Sequence, residues 1–154
     1  MRLPRTLPER QAVNPEHANP EHAVSIGRAD DFPLETLRIV TVEVDGRAAT
    51  REIGVVRRAD GTVDAVRNWC PHKGAPICKG PLTGTMLPGA PGTLTWARKG
   101  EILRCPWHGF EFAIATGARV FAESRMRLRV YPARIVDGQI LLDLGTRRST
   151  EDAS

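Results

Sequence analysis

The chain has 154 residues, enough for one domain with its own core and too few for a second of ordinary size. Hydrophobic residues at 41%, charged residues at 26%, 14 glycines and 12 prolines describe a globular chain with many turns and exclude a low-complexity or fibrous one. No window offers the roughly 18 uninterrupted apolar residues of a membrane span, and the opening MRLPRTLPER lacks the apolar centre of a secretory signal, so a cytoplasmic protein with no membrane partner is expected.

Residues 1–23 carry four prolines and few large apolar groups, and include the tandem repeat NPEHA-NPEHA at 14–23. Such a segment buries too little surface to offset its ordering entropy, which predicts a flexible arm. From 24 to 144 the apolar residues alternate or cluster in short runs: AVSI, LRIVTVEV, EIGVVRR, TVDAVRN, TLTWA, EILRC, FEFAI, LRVYPARIV and QILLDL. Asp45-Gly46, Asp60-Gly61, Lys99-Gly100 and Asp137-Gly138 punctuate them, each a pair that accepts the positive φ of a tight turn. Only DDFPLETLR, 30–38, suggests a helical turn. The pattern predicts an all-β fold, an antiparallel sandwich or barrel. Residues 81–100 show no core pattern before Thr93 and read as an excursion between two loops; 145–154 form a polar tail.

Those two loops carry the chemistry. NWCPHKGAPICKG, 68–80, offers Cys70-x-His72; LRCPWHGFEF, 103–112, offers Cys105-x-x-His108. Each follows a predicted strand, and each has Pro after its Cys and Gly near its His. Three cysteines make no even disulfide framework, so thiolate ligation of a metal is the first hypothesis. Structural zinc also accepts two Cys and two His, but its familiar spacing pairs like with like. Here unlike donors are paired, a pattern explained by an asymmetric diiron cluster with both thiolates on one iron and both imidazoles on the other.

The two boxes together resemble those of Rieske proteins, over about residues 24–144. The resemblance implies a Rieske-type β-sandwich whose cluster-binding subdomain is made by the two loops, and one [2Fe-2S] cluster per chain held by Cys70, His72, Cys105 and His108. The gap between His72 and Cys105 is long for a small member of the family, so residues 83–100 are expected to be an inserted hairpin or lobe. High-potential members carry hydroxyl donors in the second box; Phe110 and Phe112 stand at those positions here, which predicts a potential near the low end of the Rieske range, about −150 to +300 mV. Cys78, with no partner in the second box, is expected to be a buried packing group. Trp69, Trp107 and Pro76 are expected to cover the cluster or form a docking surface.

The net charge of +4 raises the question of nucleic acid. Arg125, Arg127 and Arg129 alternate with Met126, Leu128 and Val130, which predicts a strand with a basic outer face; with no interleaved aromatics, a nucleic-acid partner is not expected. A redox partner with an acidic docking face fits better. His17 and His22 superficially resemble a mononuclear iron pair, but they arise from the repeat, and no two further histidines remain to build such a centre. There is no nucleotide-binding motif either. The expected function is a monomeric electron carrier with no substrate site of its own, passing electrons from a reductase to a terminal non-haem iron oxygenase. The alternatives are the small subunit of an assimilatory nitrite reductase, partnered by its large subunit, and a zinc-stabilised interaction module.

Overall fold

The computed structural model describes residues 23–43, 50–88, 90–120 and 125–144. The arm but for its last residue, the NPEHA repeat with His17 and His22, the Asp45-Gly46 turn and the polar tail lie outside the described residues. Nine strands run in chain order: β1 Ala23–Arg28, β2 Leu37–Glu43, β3 Thr50–Arg57, β4 Val63–Arg67, β5 Leu82–Pro88, β6 Leu94–Arg104, β7 Glu111–Ala113, β8 Ala133–Val136 and β9 Gln139–Asp143. Short 3-10 turns at Ala29–Asp31 and Ile77–Lys79 are the only helical pieces among the described residues.

All named strand pairs are antiparallel and form three sheets, ordered β1-β9-β8, β2-β3-β4 and β5-β6-β7. The β3–β4 hairpin is central because both of its faces are apolar. Side chains alternate across a strand, so Ile53 and Val55 of β3 with Val63 and Ala65 of β4 pack with Ile140 and Leu142 of β9. Val56 and Val66, one residue out of phase, pack instead with Leu103, Phe112 and the Cys-bearing loops. One hairpin thereby joins the structural core to the base of the candidate site, each fully buried Val, Ile or Phe contributing about 1.5–3 kcal/mol. Beside it lies a buried ion pair, in which Arg58 donates through Nε to Asp64 at 2.8 Å, and through a terminal nitrogen Arg58 also reaches the part-exposed Glu35 at 2.7 Å.

Two sequence expectations change. Lys99-Gly100 does not end a strand: β6 runs through it, and the register against β5 jumps from Thr83↔Ile102 to Thr85↔Ala97. The extra residues form a wide bulge with Arg98 and Gly100 at φ 60° and 79° and an Arg98–Glu101 ion pair at 3.0 Å. A positive-φ pair reads the same in a turn and in a bulge; the pairing of the flanking runs with β5 decides. Likewise RMRLRVY is not a strand. It is extended chain held by isolated bridges, Ala118↔Arg127 and Val66↔Val130, although Leu128 is buried while Arg125 and Arg127 are exposed, as alternation required.

Beyond the bulge, β5 and β6 form a hairpin that leaves Met86, Leu94 and Trp96 exposed. No helix among the described residues is long and apolar enough to cross a membrane.

Candidate metal centre

The two loops fold the same way. In the first, Cys70 N–H donates to the Ala75 carbonyl (2.8 Å) and Gly74 N–H to the Cys70 carbonyl (2.7 Å); in the second, Cys105 N–H donates to Phe110 (2.8 Å) and Gly109 N–H to Cys105 (3.0 Å). Both glycines are left-handed, at φ 75° and 72°, a conformation that costs other residues strain. The shared signal is Cys-Pro-x-x-Gly: the backbone turn is one motif, and the histidine is its third residue in one loop and its fourth in the other.

The structure brings the four predicted residues together from the two loops as a pair of thiols and a pair of rings. Cys70 and Cys105 are buried, at 0% and 2% exposure, and their thiols are hydrogen-bonding neighbours. Burial pushes the Cys70 thiol up, the backbone donors of His72 and Lys73 pull it down, and Cys105 adds to the rise. The His72 and His108 rings meet edge to face with centroids 4.6 Å apart. His72 is half-buried and His108 exposed. Desolvation, then the neighbouring His108 ring and the Lys73 and Arg119 cations, hold the His72 imidazole below its ordinary value, which keeps it neutral and able to ligate near pH 7.

The donors fit a binuclear group. His72 Nδ1 is buried with no hydrogen-bond partner, an arrangement that costs free energy unless something occupies the nitrogen. Among the described residues, no three His, Cys, Asp or Glu side chains converge on a point where a single ion could sit. The donors stand as a thiol pair and an imidazole pair, whereas a tetrahedral zinc site gathers its donors around one centre.

The sequence profile of the Rieske [2Fe-2S] domain matches residues 22–132. This chain belongs to the Rieske [2Fe-2S] domain family. Its cofactor is therefore the [2Fe-2S] cluster, and the zinc-stabilised module is set aside. No curated protein matches the chain by sequence. Among solved structures, the ferredoxin of carbazole 1,9a-dioxygenase from Nocardioides aromaticivorans IC177 is 23% identical over 78% of this chain and 95% of its own, with a TM-score of 0.54. The Sphingomonas yanoikuyae B1 ferredoxin is 24% identical over 79% and 98%, with a TM-score of 0.52. A Mycobacterium tuberculosis protein assigned as an NADH-dependent nitrite reductase small subunit is 24% identical over 81% and 96%, with a TM-score of 0.56. At these identities the likeness concerns the Rieske fold.

Around the loops, the expected supporting groups take distinct places. Cys78 is a free, buried thiol, as its lack of a partner predicted. Its backbone N–H donates to Asn68 Oδ1 at 2.7 Å, and Asn68 Nδ2 donates to Glu52 at 2.8 Å, which ties the first loop to β3. Gly80 lies against the Arg104 carbonyl so closely that a Cβ there would collide with it, and this joins the first loop to the strand that delivers the second. Trp107 is 57% exposed at the tip, and Trp69 is half-buried against Gly74. Phe110 packs on His72, with ring centroids 4.2 Å apart, whereas Phe112 is wholly buried in the core. Sequence reasoning missed Arg119, whose guanidinium lies 3.9 Å from the Phe110 ring centroid. Nothing in the sequence near the boxes signals it.

Proposed function

We propose that Cys70 and Cys105 hold one iron and His72 and His108 the other, and that the chain is a cytoplasmic one-electron carrier passing electrons from a reductase to a terminal non-haem iron oxygenase. When bound, the [2Fe-2S] group stores and releases a single electron. The chain supplies everything else. The buried thiols and the loop backbone fix the group and exclude water, and the two imidazoles form the end nearest solvent. Arm, domain and tail are read with boundaries near 24 and 144, with residues 83–100, the outer part of the β5–β6 hairpin, as an insertion between the ligand loops.

The observation that carries the carrier reading is the exposed tip. His108 and Trp107 reach solvent beside Lys73, so an electron can leave through an imidazole at the surface, beside an aromatic group that a partner can bury. The positive charge around that tip suits an acidic partner face and speeds transient encounter. In the carbazole 1,9a-dioxygenase system, a ferredoxin with a TM-score of 0.56 to this chain has been seen in complex with its oxygenase. The near-complete coverage of the nitrite reductase small subunit supports the second reading, in which this chain docks on a large subunit.

Single-turnover reconstitution separates them. The cluster-loaded chain, reduced by a flavoprotein reductase and mixed with a ring-hydroxylating oxygenase, should yield product in proportion to electrons delivered, more slowly at high salt. Stable copurification with a sirohaem subunit, and no product in the oxygenase assay, would replace the carrier reading with nitrite reduction.

A further inference from the structure

Arg119 stands outside both ligand loops, yet it belongs to the same stack. Its guanidinium covers one ring, Phe110, at 3.9 Å, and that ring packs on His72 at 4.2 Å. The seat is fixed by backbone. Phe112 and Arg119 form a bridge, Val120 N–H donates to the Glu111 carbonyl at 2.9 Å and Ala113 N–H to the Ala118 carbonyl at 2.8 Å. The turn between them closes at Gly117, which is left-handed at φ 75° and packed against the Leu128 backbone, where a Cβ would collide. Arg119 is half-buried and forms no ion pair with a described residue, and a charge in that position is not fully screened by water.

A [2Fe-2S] group held by two thiolates and two neutral imidazoles is uncharged when oxidised and carries one negative charge when reduced. A fixed cation on the ring that packs against a ligand therefore favours the reduced form. Phe110 and Phe112 offer no hydroxyl donors to do so. We infer that Arg119, seated on Phe110, is a tuning residue that raises the reduction potential of the cluster. This rests on the ligand assignment above.

The test is voltammetry on the purified, cluster-loaded full chain with no partner present, with iron and acid-labile sulfide measured alongside. Absence of iron from the wild-type chain defeats the ligand assignment; a loaded chain whose potential ignores Arg119 defeats only this inference. Arg119→Met should lower the equilibrium constant for one-electron reduction by about tenfold, which is about 59 mV. Arg119→Lys, which keeps a cation over the ring, should stay near wild type. Lys73→Gln, removing an exposed charge next to His72, should shift the potential less. If Arg119→Met fails to fold, Arg119→Gln is judged by the same criteria. A wild-type potential in the Met or Gln variant, a Lys variant displaced as far as the Met variant, or an equal shift from Lys73→Gln would overturn the proposal.

Discussion

The two ligand loops share a backbone turn but not its surroundings. In 70–75 the turn is clamped: Asn68 ties it to β3, Cys78 seats on Gly54, and Gly80 lies against the Arg104 carbonyl. In 105–110 the turn is presented, with Pro106, Trp107, His108 and Gly109 all exposed. One motif thus serves two purposes, according to whether neighbouring elements cover it. The first loop is held in position, and the second is open to a partner. Substitutions in the first should then cost stability and cluster retention, and substitutions at the second loop's surface should cost partner-dependent rate.

The largest effect should come from removing a donor. Cys70→Ala should bring iron and acid-labile sulfide to background while far-ultraviolet circular dichroism still reports β-structure, because the β3–β4–β9 core does not include the loop. Retention of a full complement of iron would end the ligand assignment. His108→Cys should keep the cluster but alter its visible spectrum and lower its potential, since a thiolate adds negative charge where a neutral imidazole stood.

The clamp comes next. A Cβ at Gly54 would meet the Cys78 sulfur and the Leu37 side chain. Gly54→Ala should therefore destabilise by about 1–3 kcal/mol in chemical denaturation, as overpacking does. Adding Cys78→Ala should return part of that loss, a coupling that independent sites would not show. Asn68→Ala, which removes the acceptor of the part-buried Cys78 N–H, should cost about 1–3 kcal/mol. If both variants were as stable as wild type, the contrast between a clamped and a presented loop would fail.

What the sequence made legible follows the same division. Eight of the strands were readable because each carries a short apolar run, and the ligands because the two Cys-His boxes are local; β5, Leu82–Pro88, was not, because its stretch has no core pattern and becomes a strand only by pairing with β6. The β6 bulge was not readable, because Lys99-Gly100 looks like a turn until Thr83 and Thr85 are seen pairing on either side of it. Nor was the clamp: Gly54, Asn68 and Gly80 act on residues brought near only by folding, and Arg119 reaches Phe110 across a sheet edge. Side-chain chemistry within a loop is local information, whereas what covers the loop is tertiary.

A smaller effect isolates Cys78. Burial pushes its thiol up to about 12, far above the usual range, so the folded state keeps it protonated well beyond neutral pH. Because the folded value lies above the unfolded one, this contribution to stability is complete below the unfolded value near 8.5 and is lost as pH rises above it. Between pH 7 and 9, wild type should lose about 1 kcal/mol more than Cys78→Ala. Iodoacetamide should leave Cys78 unmodified in the folded chain at pH 8. Rapid alkylation, or identical pH profiles for the two proteins, would show that the thiol is not sealed beneath the loop.

The smallest change to the molecule itself should come from Trp107→Ala. The side chain is 57% exposed and belongs to none of the buried core clusters, so stability should stay within about 0.5 kcal/mol of wild type. The potential should stay as well, because the ligands and Arg119 are untouched. What should change is encounter: an exposed aromatic at the centre of a docking surface is worth about 2 kcal/mol or more to binding, so electron delivery to a matched oxygenase, followed by stopped flow at low protein concentration, should slow by roughly tenfold or more. A slowed reaction with an unchanged potential would place Trp107 in docking and leave the clamped loop to hold the cluster. An unchanged rate would mean that the partner approaches elsewhere, and the division of labour between the loops would be wrong at its exposed end.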